Sequence, residues 1–571
     1  MIFHKISNNL LIIVYIMWKI ISVLFLSILI SLYIFNDVEN IKYFFQLKVT
    51  ICSFIFACIF YIFYEYTSLI KLIWNKYISP INTFIDKYGI YILLISFFVL
   101  LNYLTFSKHL NYHSSGFDLW IFDQVIYKYS NWIFPASSSI REIANIEWDH
   151  FHPILWAYAL FYKVHASPLT LLFLQNFFFV LGGLWIYKIS KLKLNIPIIG
   201  FSVVFLYLIF KWNINALLFD FHPLVVAVSL FPWLLYYSIQ KKWLPYFLIL
   251  IPILLSKENM SIYILFFWIY QFFIQKDRTI WIVSFLIWWI YFYLVMNYFL
   301  PAMWWWGKYW SYDAIWSNPK ELLINTFLHP VTFLSVVFSS VIKGITYLHH
   351  LGSWLYIALF TPVMIFLIPS YAQKFLSSRE EFWTLNFHYS IDIYWIIAIG
   401  IIFWFVWIKN KYPQKYISMY IFVWIFIFTN SFIVNIHRTP LLYNNYTLEN
   451  KQVLDKIINE LPKNISISTQ NKIVPHFSHN DKVYIFPNLW DAEFILLNTK
   501  INSWWPLKKW ETLQYYIDKL QRKENFIDIK LPFIKKSLEF DSKYELIKEK
   551  EGIFLFKIIK QKLLDDKINK K

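Results

Sequence analysis

The sequence predicts an α-helical polytopic membrane protein, with about thirteen transmembrane helices and a small extracytoplasmic α/β domain at its C-terminal end. Three observations carry that prediction. Apolar residues make up 59% of the 571 and charged residues only 15%, a balance that belongs to chains crossing a bilayer many times. Apolar runs approaching the roughly 20 residues needed to span recur from the N-terminus to about residue 436. Beyond that point Lys, Glu, Asn and Asp rise and the apolar runs shorten to strand length.

The expected spans fall at 10–35 and 46–64, an N-terminal pair within 1–88, and then, within a core covering 89–436, at 89–106, 169–187, 196–210, 223–239, 243–256, 260–275, 280–299, 328–343, 353–369, 391–408 and 417–436. Orientation follows from Lys and Arg, which concentrate in short cytoplasmic loops. "KISKLKLN" (188–195), "QKK" (240–242), "QKDR" (275–278) and "IKNKYPQK" (408–415) all fall inside when every span is kept and the N-terminus is inside. The run 330–345 is the weakest of the set. The formal net charge of +18 lies in these loops and in the tail, so it reads as membrane orientation rather than nucleic-acid binding. The first apolar stretch lacks a small-residue cleavage site and is too long for a signal peptide, so it reads as a retained anchor. Cys52 and Cys58 share one apolar run, which leaves any exterior domain without a disulfide framework. With 10 Gly against 58 Phe, 41 Tyr and 29 Trp, bulky aromatic packing is the expected helix–helix contact.

After residue 436, "TLENKQVLDKIINELP" has helical spacing, while "ISIST" (465–469), "KVYIF" (482–486) and "EFILLNT" (493–499) read as strands. "YELIKEKEGIFLFKII" reads as a hairpin turning at Glu551 and Gly552. The domain therefore covers 437–560, followed by a basic tail, 561–571.

The same parity gathers the unusual polar residues on the outer face: Asp118 and Asp123 in the large loop 107–168, "WDHFHP" (148–153), "FDFHP" (219–223), "SKEN" (256–259) and "NFHYS" (386–390). Asp118 and Asp123 are the candidate catalytic carboxylates. On a helix, five residues turn about 140°, so they cannot share one pocket, and Asp123 should face a neighbouring helix or loop. Either acid could instead cap a helix N-terminus or be simply solvated. His150 and His152 suit a phosphate or interfacial water. With Asp149 they offer metal-ligand types, yet alternate residues on a helix diverge and no third ligand is spaced to complete a set. No cofactor is required. His222 precedes a proline able to start the next span, so an interfacial helix start stands beside a binding role. Lys257 and Glu258 interrupt an apolar stretch, where charge is costly and is usually paired or functional; Lys257 could hold a phosphate or snorkel to headgroups. Arg379 could grip phosphate in two places or belong to a solvated charge run with Glu380 and Glu381. His388 and Tyr389 sit just before a span. The aromatic cluster 301–310 reads as an interfacial belt.

The order "GFDLWIFDQ", "DHFHPIL", "LLFLQNFFFVLGGLWIYKIS", "FDFHP", "LSKEN", "NFHYS" and "STQNKIVPHFSHNDKVYIFP" resembles a family of prokaryotic predicted membrane proteins of unknown function, grouped with the GT-C glycosyltransferases. The resemblance covers roughly Ile90 to Thr499. It implies a transferase that moves a sugar from a polyprenyl-phosphate carrier to an acceptor at the outer face of the cytoplasmic membrane, with an essential carboxylate in the first large outer loop. Asp118 is then the general base, and His150, His152, His222, Lys257, Glu258, Arg379, His388 and Tyr389 are candidate substrate ligands. The chain departs from the family pattern at Trp120, where the family has Gly, and at His152, where it has Ser.

No Gly-rich nucleotide loop, Walker motif or Rossmann fingerprint occurs, which weighs against a nucleotide-sugar donor and ATP-driven transport; CxxC and H-E-x-x-H are missing too. A transporter or flippase of a lipid-linked glycan is the second reading, although the paired repeats it calls for are not visible. A non-catalytic envelope scaffold is the third.

Overall fold

The computed structural model describes residues 79–136, 138, 145–146, 150–276, 278–299, 311–312, 321, 328–350, 359–384, 387–413, 448–486, 488–498, 500–501 and 544–559. The expected spans 10–35, 46–64 and 417–436, the aromatic cluster 301–310, Asp149 and the tail 561–571 lie outside these residues.

The described chain is helical, with one small sheet near its C-terminal end. Helix α1 covers Ser79–Leu110. After a loop come α2 (Leu119–Ser130), α3 (Leu155–Tyr162), α4 (Pro168–Leu194), α5 (Pro197–Ile209), α6 (Lys211–Phe219), α7 (Pro223–Ile239), α8 (Trp243–Ser256), α9 (Met260–Tyr270) and α10 (Arg278–Leu294). Then follow α11 (Pro330–Val337), α12 (Val341–His350), α13 (Leu367–Phe375), α14 (Ile391–Lys411) and α15 (Leu448–Glu460). Four helices among the described residues are long and apolar enough to cross a membrane, or six when each of two bent pairs counts as one span.

Local chemistry sets the boundaries. Proline occupies the first position of α4, α5 and α7, where its missing N–H costs nothing and its fixed φ suits a helix start. Ser167 caps α4 by accepting from the Leu169 N–H at 3.3 Å, and Asn195 ends it in the left-handed region at φ 54°. α4 and α14 form the centre of the bundle, their apolar windows being 61% and 78% buried against 39% for α1. Around them the packing is aromatic: Phe231 stacks with Trp395 at 5.4 Å and Phe267 with Phe366 at 4.4 Å. Glycine lets helices approach closely at Gly182, where an added Cβ would lie 2.9 Å from the Ser229 carbonyl oxygen.

The expected straight span at 328–343 is not one helix. α11 and the start of α12 meet at 81°, with the turn at residues 338–340, where Ser340 Oγ accepts from the Ile342 N–H at 3.2 Å. Lys343 then turns back: its buried ammonium donates to the carbonyls of Val336 and Phe375, each at 2.8 Å. A straight helix would leave that ammonium in hydrocarbon; the break gives it two acceptors. The run 353–369 is described from residue 359, where it forms a 3-10 turn, Pro362–Phe366, leading into α13. The expected span 196–210 is likewise extended past a 48° bend into α6.

Contacts define two ends of the bundle. At one, Lys191 reaches Asp86 at 2.7 Å, Lys409 donates to the Leu194 carbonyl at 2.9 Å, and Trp185 packs on Tyr236. This end carries the basic loops. The opposite end holds the loop after α1, the start of α7, the end of α8 and the start of α14.

The C-terminal sheet has strand order β2-β1-β3-β5-β4, with β1 Ile467–Thr469, β2 Val483–Ile485, β3 Phe494–Asn498, β4 Tyr544–Lys550 and β5 Ile553–Ile558. β1 lies parallel to both β2 and β3, and β5 is antiparallel to β3 and β4. Glu551 (φ 54°) and Gly552 (φ 78°) turn the hairpin, the positive-φ pair that a two-residue turn needs. β3 is buried throughout and β1 hands its chain to the loop Gln470–Asn480, which runs toward α2. Tyr112 from the loop after α1 and Trp120 from the first turn of α2 are part of the same apolar cluster as Leu454, Ile467, Phe477 and Leu496.

Candidate functional site

Asp118 stands at the N-cap of α2, where the helix would take a side-chain oxygen, yet its carboxylate makes no capping bond. Its Oδ2 lies 3.6 Å from His222 Nε2. The His222 ring is 6% exposed and stacks on His388 with centroids 3.4 Å apart, and Tyr389 packs against the other imidazole at 4.1 Å. Among the described residues, His222 Nε2 and His388 Nδ1 are buried without a hydrogen-bond partner. A carboxylate free of its helix therefore faces a pair of stacked, buried imidazoles.

Asp220, which the motif reading passed over, builds this geometry. It is 1% exposed and receives Lys108 Nζ at 2.8 Å and the Ser115 N–H at 2.7 Å, so it ties the end of α1 and the loop leading to Asp118 onto the start of α7. Burial pushes its carboxyl upward, and Lys108 opposes the rise. Gln175 completes the frame from α4: its Oε1 accepts from the His222 N–H at 2.8 Å and its amide donates to the Asp220 carbonyl at 3.2 Å. The signal for Asp220 was its place beside His222 in "FDFHP".

A second group lies at the end of α8. Glu258 is 3.0 Å from His150 Nδ1 and accepts from the Phe151 N–H at 3.1 Å. Burial alone would raise its carboxyl, but the facing His150, with Lys257 and His152, holds it below the usual carboxylate range. His152 sits with Nδ1 2.5 Å from the Ser256 carbonyl oxygen, and burial, with His150 and Lys257 beside it, lowers its pKa to about 3. The two histidines thus fasten the large loop to the α8–α9 turn. Among the described residues no three His, Cys, Asp or Glu side chains converge as a metal-ligand group. Lys257 is half-buried and has no ion pair among the described residues, while its charge reaches His152, Glu258 and His388. Arg379 is exposed and neighbours Tyr312 instead.

Asp123 is turned away from Asp118, into a separate and fully closed setting. It is 0% exposed and accepts from Tyr162 and from Ser478, with His479 Nε2 at 3.3 Å. The structure thus sets Asp123 apart from Asp118, as a joint between α2 and the C-terminal loop. Its partners lie 355 residues away in sequence for Ser478, beyond any local pattern. Trp120 is equally removed from the pocket, its indole lying in the C-terminal apolar cluster.

At the same joint His476 stacks on His109 at 4.4 Å and lies against Tyr112 at 4.2 Å. Burial, with Lys451 adding to it and the contact with His109 opposing, lowers its pKa from 6.5 to about 4. Between those values the unfolded chain binds more protons than the folded one, so stability falls as pH drops through that window and is unaffected above it. The purified protein should therefore lose thermal stability from pH 7.5 to pH 5, and His476→Phe should lose less; equal losses in both would remove His476 as the cause.

No curated protein matches the chain. Among solved structures, it is similar to ArnT from Cupriavidus metallidurans bound to undecaprenyl phosphate, at a TM-score of 0.43 and 8% identity over 83% of this chain and 99% of that one. ArnT in the apo state compares at 0.41 and 8%, over 82% and 97%. The model of a family described as predicted membrane protein (DUF2079) matches residues 108–530, a stretch that runs from the end of α1 through the whole site into the C-terminal region, and the chain belongs to that family.

Proposed function

We propose that the chain is a GT-C-type membrane glycosyltransferase that moves a sugar from a polyprenyl-phosphate carrier to an acceptor hydroxyl at the outer face of the cytoplasmic membrane. The carrying observation is Asp118: a carboxylate unspent on its helix, at the end of the bundle opposite the basic loops, 3.6 Å from a buried imidazole. With the basic loops inside, that end faces outward, where a carrier lipid presents its head, and the C-terminal α/β domain, whose loop Gln470–Asn480 meets α2, is extracytoplasmic.

In this reading Asp118 takes the proton of the acceptor hydroxyl as its oxygen bonds to the anomeric carbon. The bond from that carbon to the carrier phosphate breaks, and the phosphate leaves with the electron pair. Lys257, the half-buried cation without an ion pair among the described residues, balances the charge gathering on the leaving phosphate. His222 lies beside Asp118 and stacks on His388, and Tyr389 packs against His388. The motif resemblance supports the carrier class, and the place of Asp118 and Lys257 at one end of the bundle supports the roles given to them.

A second reading, transport of a lipid-linked glycan, is favoured by the two bent helix pairs, since transporters place broken helices at their sites. One experiment separates them: membranes holding the wild type or Asp118→Asn are given a labelled polyprenyl-phosphate sugar. Label leaving the carrier for an acceptor only with the wild type supports transfer. Label crossing the bilayer still joined to its carrier would replace transfer with transport.

A further inference from the structure

Among the described residues Asp118 makes no hydrogen bond or ion pair with the C-terminal segment, yet the residues on both sides of it do. Before it, the Gly116 N–H donates to Asn471 Oδ1 at 2.9 Å, and a Cβ at residue 116 would lie 2.7 Å from that oxygen and 3.2 Å from the Asn471 carbonyl oxygen. After it, the Trp120 ring is fully buried in the C-terminal apolar cluster, Asp123 takes the Ser478 hydroxyl and faces His479, and the Gln124 amide donates to the Asn480 carbonyl at 2.6 Å. The His479 ring stacks on Tyr127 one turn further on, at 4.0 Å. We propose that the loop Gln470–Asn480 holds α2 in the place where Asp118 meets His222, so that Ser478 and Asn471 are positioning residues for the transfer.

The argument rests on the reading of Asp118 as the base, and on two physical points of its own. A carboxylate buried as completely as Asp123 needs its donors, and of its three partners only Tyr162 comes from the membrane part of the chain; without Ser478 and His479 the stretch carrying Asp123 has reason to leave its seat. A general base, in turn, works only within a narrow geometry, and a shift of about 1 Å costs on the order of a hundredfold. The α2 segment is short, 12 residues, and Asp118 is its N-cap residue. A movement that relieves Asp123 therefore carries Asp118 with it.

The carboxyl end of β1 adds to the case. The chain leaves β1 at Thr469 into Gln470, whose amide is committed to the carbonyls of Asn498 and Ile501, and β1 sits between two parallel neighbours. Such a point usually receives a ligand. Here Asn471, the second residue past the strand, receives Gly116 from the Asp118 loop.

The test uses the full-length protein in nanodiscs, with hydrogen exchange at the amides of residues 119–125 and steady-state transfer from a labelled polyprenyl-phosphate sugar. Ser478→Ala should raise exchange across 119–125 and lower kcat by roughly tenfold or more, with the donor KM within about twofold, because the helix is displaced but the carrier contacts are not. Ser478→Thr, which keeps the hydroxyl, should restore both. Gly116→Ala perturbs the same seat from the other side and should reproduce the pattern if Ser478→Ala fails to accumulate. Unchanged exchange in Ser478→Ala overturns the proposal, and so does raised exchange with kcat intact. A wild-type chain that moves no sugar overturns the transferase reading and the positioning role with it. The exchange result needs no substrate, so it then shows separately whether the loop holds the helix.

Discussion

Asp118→Asn is expected to lower sugar transfer by roughly 10²–10⁴-fold, the range general-base removal commonly shows, while the protein accumulates and unfolds as the wild type does. The two expectations belong together. Asn matches the shape of Asp, and since the Asp118 carboxylate makes no capping bond, the substitution removes no stabilising contact from α2. What it removes is an acceptor for the hydroxyl proton, so the loss should fall on kcat, with donor KM nearly unchanged. Transfer measured in parallel with the amount of folded protein checks both halves, and a loss that merely tracks protein amount would make Asp118 structural.

Asp392→Ala should produce the largest stability loss, about 3–5 kcal/mol. Asp392, in the first turn of α14, accepts from Lys374, Ser370 and Tyr263, and both Asp392 and Lys374 are 4% exposed. Removing the carboxylate leaves a buried ammonium without its counter-ion. Removing both charges with apolar residues of similar volume should recover most of the loss, because the desolvation cost disappears along with the attraction. Thermal unfolding in detergent of Asp392→Ala and of the pair Lys374→Met with Asp392→Leu measures this. A single variant as stable as the wild type would show that the cluster contributes nothing.

Much of the helical frame was legible because hydrophobic periodicity and proline at helix starts are local signals. The runs 223–239 and 243–256 coincide with α7 and α8, and the three short apolar runs after residue 460 coincide with β1, β2 and β3. The break at 338–340 was not legible, because it depends on Lys343 finding the carbonyls of Val336 and Phe375, and a hydropathy window counts that lysine only as a small penalty. The site divides the same way. A helical period of 3.6 separates Asp118 from Asp123 without any structure, but the place Asp123 goes is set by Ser478 and His479, and sequence distance of that order leaves no local trace. Asp220 was visible as a letter in "FDFHP" and silent as a role, since Lys108, Ser115 and Gln175 come to it from two other helices and a loop. His150 and His152, expected to meet a phosphate or interfacial water, fasten their loop to Glu258 and Ser256, partners that come from another helix end and leave no local trace.

The account depends on Asp118 and His388 sharing one face of the membrane. Single cysteines at Phe117, Glu381 and Leu192, all exposed, in a chain with Cys52 and Cys58 replaced by Ser, can be challenged in sealed cells with a membrane-impermeant maleimide. Labelling at 117 and 381 from outside, with 192 reacting only after permeabilisation, is the expected result; labelling of 117 and 381 from opposite faces would contradict a common pocket.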